Sequence, residues 1–121
     1  MGDFQKLRVW QLSKDLAVEI YKTVNSNIDF KKDLRFAGQI TSCAVSVPSN
    51  IAEGDELQTT KQGINHFYIA KGSCSELITQ IIIGKEIGHI KEDKAEELLS
   101  KANIISLSLY KLIQVRKSWI K

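Results

Sequence analysis

The stretch from Gln39 to Gly54, QITSCAVSVPSNIAEG, constrains this chain more than any other segment. It carries the only proline, Pro48, in the middle of what reads as one helix. Two rows of side chains run along it. Phe36, Ile40, Cys43, Val47 and Asn50 recur at intervals of four and three, the rhythm of a packed helical seam. Gln39, Ser42, Ser46, Ser49 and Glu53 keep the same rhythm with polar, mostly small side chains. An apolar seam beside a small polar row implies a helix packed closely against more than one neighbour. Pro48 cannot donate to the carbonyl of Ala44, and its ring crowds that carbonyl, so the helix is expected to bend there. The spacing continues through Val47, Asn50 and Gly54, which favours a kink over a break.

Four helices are expected in all. The first runs from about Arg8 to Asn25, with Trp10, Ala17, Ile20, Tyr21 and Val24 facing inward and Leu16 at the edge. The polar run Asn25-Ser26-Asn27 ends it, and Phe30 in the following loop plugs the end of the core. The second helix runs from about Lys32 to Glu53, with Gly54 as its C-terminal cap. The third runs from about Thr60 to Ile87, capped by Thr59 or Thr60 at its start and by Gly88 at its end. The fourth runs from about Lys91 or Asp93 to Ser118, along which Leu98, Ala102, Ile105, Leu109 and Leu112 repeat at four and three. Short connections make sequence neighbours antiparallel. The expected fold is therefore all-α, an antiparallel up-down four-helix bundle kinked at Pro48 and forming one domain over residues 1–121.

Length and composition agree. A chain of 121 residues suits one domain with a real core. With 43% hydrophobic and 26% charged residues it is neither disordered nor fibrous. The densest apolar stretch, Leu77 to Ile83, is interrupted by Thr79 and Gln80 and falls short of the ~18–20 residues of a membrane span. The opening residues show no signal-peptide or myristoylation pattern. Cys43 and Cys74 fall on apolar helix faces and read as buried free thiols. A cytoplasmic protein with no membrane partner is expected.

Nothing in the chain names a reaction. Glu86-x-x-His89 matches a motif that di-iron bundles use in pairs, but it occurs once, and His89 follows a capping glycine. Phosphate-cradling loops, nucleophile elbows and zinc motifs are absent, so no cofactor, metal or catalytic residue is expected. Glu53 and Glu76 extend small polar rows, the latter with Ser73 and Gln80. Gln39, Ser46, Asn50, Glu53, Ser73 and Glu76 are thus expected to form a structural polar row that hydrogen-bonds in the interior or at an interface. Asn50, alone in an apolar seam, reads as a register-fixing amide that could also satisfy the carbonyl freed by Pro48.

Two surfaces remain. Leu77, Ile78, Ile81, Ile82, Ile83 and Ile87 wrap about two-thirds of the third helix, wider than the ~100° a bundle helix needs. Ile104 and Leu107 point away from the seam of the fourth. Ile78, Ile82, Ile83, Ile104 and Leu107 are therefore expected to contact another subunit. The net charge is +3, and an up-down bundle collects Lys6, Arg8 and Lys14 at one end with Lys111, Arg116, Lys117 and Lys121. That cluster is the candidate nucleic-acid surface, opposed locally by Glu53, Asp55 and Glu56. Since Trp10 and Tyr21 read as core, Tyr110 and Trp119 are the remaining candidates for base stacking.

The segments FQKLRVWQLSKDLAVEIY (Phe4–Tyr21), QITSCAVSVPSNIAEG (Gln39–Gly54) and IAKGSCSELITQI (Ile69–Ile81) resemble the 23S ribosomal RNA intervening-sequence proteins. The likeness covers nearly the whole chain and is most specific at SVPSNIAEG, followed by GSCSEL from Gly72 to Leu77. Lys31 stands where a proline often follows the equivalent of Phe30. Members of the family are similar to the accessory protein of diversity-generating retroelements, a basic pentameric bundle that binds nucleic acid and a reverse transcriptase. The resemblance implies a homo-oligomeric ring, first of all a pentamer, and does not imply an enzyme. Its shared residues, Gln39, Ser46, Asn50, Glu53, Gly54, Ser73 and Glu76, are the polar rows. The expected function is a non-catalytic oligomeric bundle that binds RNA or DNA, with a protein partner compatible. The alternative is a structural or protein-interaction module with no nucleic-acid role.

Overall fold

The computed structural model describes residues 3–57 and 59–120, and the regular structure among them is helical. A 3-10 turn over Phe4–Lys6 leads into five α-helices: α1 (Arg8–Asn25), α2 (Ile28–Lys32), α3 (Leu34–Glu56), α4 (Thr60–Glu86) and α5 (Glu92–Lys117).

The bounds of α1 match the sequence expectation, and of its expected inner face Ala17, Ile20 and Val24 are buried while Tyr21 is not. Val9, Ser13, Leu16, Ala17, Ile20, Thr23 and Val24 are buried. Ser13 and Thr23 can sit inside because each hydroxyl donates to its own helix, to the carbonyls of Trp10 (3.0 Å) and Glu19 (2.8 Å). Tyr21, expected inward, is 47% exposed. It follows Ile20 by one residue, hence by 100°, and turns its ring to the solvent side. Trp10 is half-buried, with Phe4 edge-on at 5.2 Å.

The expected loop after α1 holds a short helix. Asn27 accepts from the backbone N–H groups of Asp29 and Phe30 and so starts α2. Phe30 is fully buried, as a plug should be, and stacks on Phe36 (5.7 Å) and His89 (5.1 Å).

Asp33 caps α3 by accepting from Phe36 N at 3.3 Å. The helix passes Pro48 without interruption and continues through Gly54 to Glu56. Gly54 is therefore not the cap that its position suggested. It is buried where α3 approaches α4 most closely. A Cβ added there would stand 2.7 Å from Phe67 Cε1 and 2.8 Å from the Gly63 carbonyl oxygen. Gly63 faces the Gly54 carbonyl in return. Two glycines without side chains let the helices touch main chain to main chain.

Thr59 caps α4 by accepting from Gln62 N at 3.2 Å. Gly88, at φ +84°, turns the chain out of α4, and the N–H groups of His89 and Ile90 return to the Gly84 carbonyl. The long helices pack α1 on α3, α3 on α4, α4 on α5 and α5 on α1. Between them lie Ile20, Ile40, Val47, Ile51, Phe67, Leu77, Ile81, Leu98, Ile105 and Leu109, each at most 2% exposed. Burying an aliphatic side chain of this size stabilises by about 1.5–3 kcal/mol, which makes this core the main source of stability. Cys43 and Cys74 are buried free thiols that donate to the carbonyls of Ser73 (3.1 Å) and Ala102 (3.3 Å). Burial is the main reason that their pKa values are pushed up, to about 12 and about 11. Among the described residues no helix is long and apolar enough to cross a membrane.

Candidate functional site

The polar row on α3 meets α4 and becomes a connected seam. Ser46 and Ser73 share a hydrogen bond of 2.9 Å across the two helices. Asn50 Nδ2 donates to the carbonyl (2.9 Å) and hydroxyl (3.1 Å) of Ser46. The amide does not serve the Ala44 carbonyl, as the sequence had suggested, because Ser46 lies one helical turn before it and takes both hydrogens. Asn50 Oδ1 faces His66 Nδ1 at 3.1 Å, and Glu53 Oε2 is 3.7 Å from the same nitrogen. Cys43 Sγ lies 3.8 Å from Glu76 Oε2.

This seam is half open. Ser46, Asn50 and Ser73 are half-buried, whereas Gln39, Glu53 and Glu76 are exposed on the single chain. Of the two settings expected for Glu53 and Glu76, the interior of one chain is not where they lie: both are on the rim. Arg35, Gln39, Ser42, Ser46, Ser73, Glu76 and Gln80 line an open groove there. His66 was missed in the sequence reading, although the packing of α3 on α4 brings it opposite Asn50.

The candidate cations behave unequally. Lys6, Arg8, Lys111 and Lys117 are exposed. Lys14 is exposed too but pairs with Asp15 at 2.7 Å. Arg116 is a correction, because it is not a surface cation. Its guanidinium donates to Asp55 Oδ1 at 2.8 Å, with the two side chains only 14% and 4% exposed. It also lies over the rings of Phe67 (5.2 Å) and Trp119 (4.8 Å). A charge that far from water needs a partner, and Asp55 supplies it. Lys121 lies outside the described residues. Lys117 reaches over the Tyr68 ring at 5.2 Å.

The surplus aliphatic residues divide between different sides. Ile82 and Ile83 are exposed on α4, and Ile87 just beyond it, while Ile78 is half-buried against the core. Leu107 is exposed on α5, and Ile104 borders a hollow between α1 and α5 with Leu12 and Val18. At the other end of α4, Glu86 and His89 do not share a helix, as the glycine between them suggested. His89 follows the turn and places Nε2 3.0 Å from Asp33 Oδ2. Its hydrogen bond, with the Phe36 N–H, holds the Asp33 carboxyl below the usual range. Among the described residues no three His, Cys, Asp or Glu side chains gather as a metal site.

The sequence matches the 23S rRNA-intervening sequence proteins over residues 5–111. No curated protein matches it. Its fold is similar to that of a crystallised protein of unknown function from the S23 ribosomal protein family of Bacteroides thetaiotaomicron. That likeness has a TM-score of 0.79 at 23% identity, over 87% of this chain and 97% of the other. The seam SVPSNIAEG and its partner GSCSEL, which form the α3–α4 contact, lie within the matched residues, and the chain belongs to the 23S rRNA-intervening sequence protein family.

Proposed function

We propose that this chain is a non-catalytic, homo-oligomeric bundle that binds RNA or DNA through one basic end. The topology that fits this reading is an antiparallel up-down four-helix bundle, with α2 as a cap and α3 bent at Pro48. Three sets of contacts support it. Glu19 late in α1 pairs with Lys94 and Lys101 early in α5. Arg116 at the end of α5 pairs with Asp55 at the end of α3, and Gly54 meets Gly63 across the α3–α4 turn. In that topology the start of α1 and the finish of α5 share an end with Lys61.

The observation that carries the nucleic-acid reading is that the exposed Lys6, Arg8, Lys61, Lys111 and Lys117 outnumber the exposed Asp3, Glu53 and Glu56 at that end, with Asp55 and Arg116 neutralising each other internally. Exposed lysines and arginines near one another attract phosphates without reading sequence. Toward the opposite end, Lys22, Lys31, Lys32, Lys85 and Lys91 are interleaved with Asp29, Asp33, Glu86, Glu92 and Asp93. The exposed isoleucines of α4 support self-association, and a pentameric ring is the form expected from likeness to the accessory protein of diversity-generating retroelements. A ring repeats the basic end in every subunit, so weak contacts add through effective concentration. A cytoplasmic location suits the free thiols. The same exposed aliphatic surface favours the second reading, a protein-interaction module without nucleic acid.

Light scattering should give a mass several times 13.6 kDa, and Ile83→Glu should reduce it to the monomer. Affinity for nucleic acid should fall steeply with salt, and replacing Lys6, Arg8 and Lys111 together with glutamine should weaken it and flatten the salt slope. A monomeric wild-type chain refutes the assembly. Undetectable binding at low salt moves the function to the protein-interaction module.

A further inference from the structure

The strip between α4 and α5 combines features that sequence spacing alone did not bring together. Tyr68 on α4 and Tyr110 on α5 are 45% and 53% exposed, and both border one groove of about 370 Å³. Lys71, Gly72 and Ser75 complete its α4 wall, and Ile113 and Gln114 its α5 wall. Among the described residues no acidic side chain lines it. Positions 68, 71, 72 and 75 of α4, and 110, 114 and 117 of α5, follow the three-and-four spacing that keeps residues on one helical face. Lys117 thereby extends the α5 wall and sets its ammonium 5.2 Å from the centre of the Tyr68 ring. Gly72 leaves the middle of the α4 wall without a side chain, and a Cβ there would meet nothing within 4 Å.

We infer that this groove is a binding site for single-stranded nucleic acid, with Tyr68 and Tyr110 as stacking platforms for bases and Lys71 and Lys117 as phosphate contacts. The inference rests on the nucleic-acid reading above and locates it on one face. Aromatic rings alternating with lysines along a cationic channel are how proteins hold single strands without choosing a sequence, since every base offers a π face. A duplex keeps those faces stacked inside, so the groove would discriminate against it. The bare backbone at Gly72 gives a base the depth to lie flat against the α4 wall. An acid-free lining argues for a polyanion over a basic or neutral peptide.

The test is fluorescence anisotropy with labelled oligo-dT and oligo-U, and with a duplex of the same length, at low salt. The single strands should bind more tightly than the duplex. Tyr68→Ala and Tyr110→Ala should each weaken single-strand binding roughly tenfold, while Tyr68→Phe and Tyr110→Phe should keep it. Gly72→Gln, whose Cβ meets nothing within 4 Å and whose amide would extend into the groove, should weaken binding as the alanine variants do. The oligomeric mass should stay unchanged throughout. If salt-dependent binding persists within about twofold in the alanine and Gly72→Gln variants, the groove assignment is overturned and the nucleic-acid reading stands. If no probe binds the wild type at low salt, both are overturned. If the tyrosine variants instead change the mass, the groove is a contact between subunits and the assignment is wrong.

Discussion

Gly63→Ala should lower the melting temperature even though alanine is the better helix former. Relieving a glycine inside a helix is worth about 1 kcal/mol in favour of the variant. Against that gain stands the Gly54 carbonyl oxygen, which a Cβ at Gly63 would meet inside any normal contact distance. The obstacle is main chain, so it cannot rotate away, and α3 and α4 must separate where they are closest. Overpacking of this kind costs about 1–3 kcal/mol, and the upper part of that range applies when backbone has to move. The net loss is about 1–2 kcal/mol, which for a chain of this size corresponds to roughly 4–8 °C. Gly38→Ala is the control: it lies in α3, and a Cβ there meets nothing within 4 Å, so the same substitution should raise the melting temperature by roughly 4 °C. Thermal circular dichroism at one protein concentration reads both, because a self-associating chain melts in a concentration-dependent way. A Gly63→Ala variant that melts at or above the wild type would refute the close approach.

Arg116→Met leaves the Asp55 carboxylate buried without its partner and should cost about 3–5 kcal/mol in urea unfolding, much of which Asp55→Leu should restore in the double variant. The Asp33 carboxyl is held below its ordinary value of 3.8 by His89 and by the Phe36 N–H. Its contribution to stability is therefore complete above that value and is lost as pH falls below it toward the lowered folded value, so Asp33→Asn should flatten the acid limb of a stability–pH profile. Cys43 and Cys74, with pKa values near 12 and 11, should resist maleimide at neutral pH in the folded protein and react promptly once it is unfolded.

Periodicity made the seam legible: Ile40, Cys43 and Val47 are buried as their spacing required, and Phe30 plugs the core as its place after the first helix suggested. Gly54 was misread because glycine near a helix end serves either a left-handed turn or a close contact. Only Gly63, across a turn, distinguishes the two. Tyr21 was misread for a related reason. An apolar count favours a ring over Ser13 and Thr23, yet hydroxyls that bond their own helix can be buried at little cost. Arg116 looked like surface because arginine usually is, and its partner Asp55 is 61 residues away in the chain. The Tyr68–Tyr110 groove escaped for the same reason, being made by two helices whose facing positions no local pattern announces. Apolar burial that follows helical spacing was readable; the pairing of a polar or aromatic side chain with one particular distant partner was not.

The pairing of Glu19 with Lys101 spans 82 residues, and it bears on the order in which this protein comes apart. Helices α3, α4 and α5 are consecutive and joined by brief turns, so their contacts close small loops and form with little entropic cost. Such local contacts are expected to assemble early. By contrast, α1 must return across almost the whole chain to reach α5. There its ties include ion pairs at least a quarter exposed, which contribute little in water. The fold is thus graded in time as well as in space. Partial opening should begin with α1 lifting from the α5 side, exposing Leu16 and Ile20, while the α3–α4–α5 unit holds its amides against exchange.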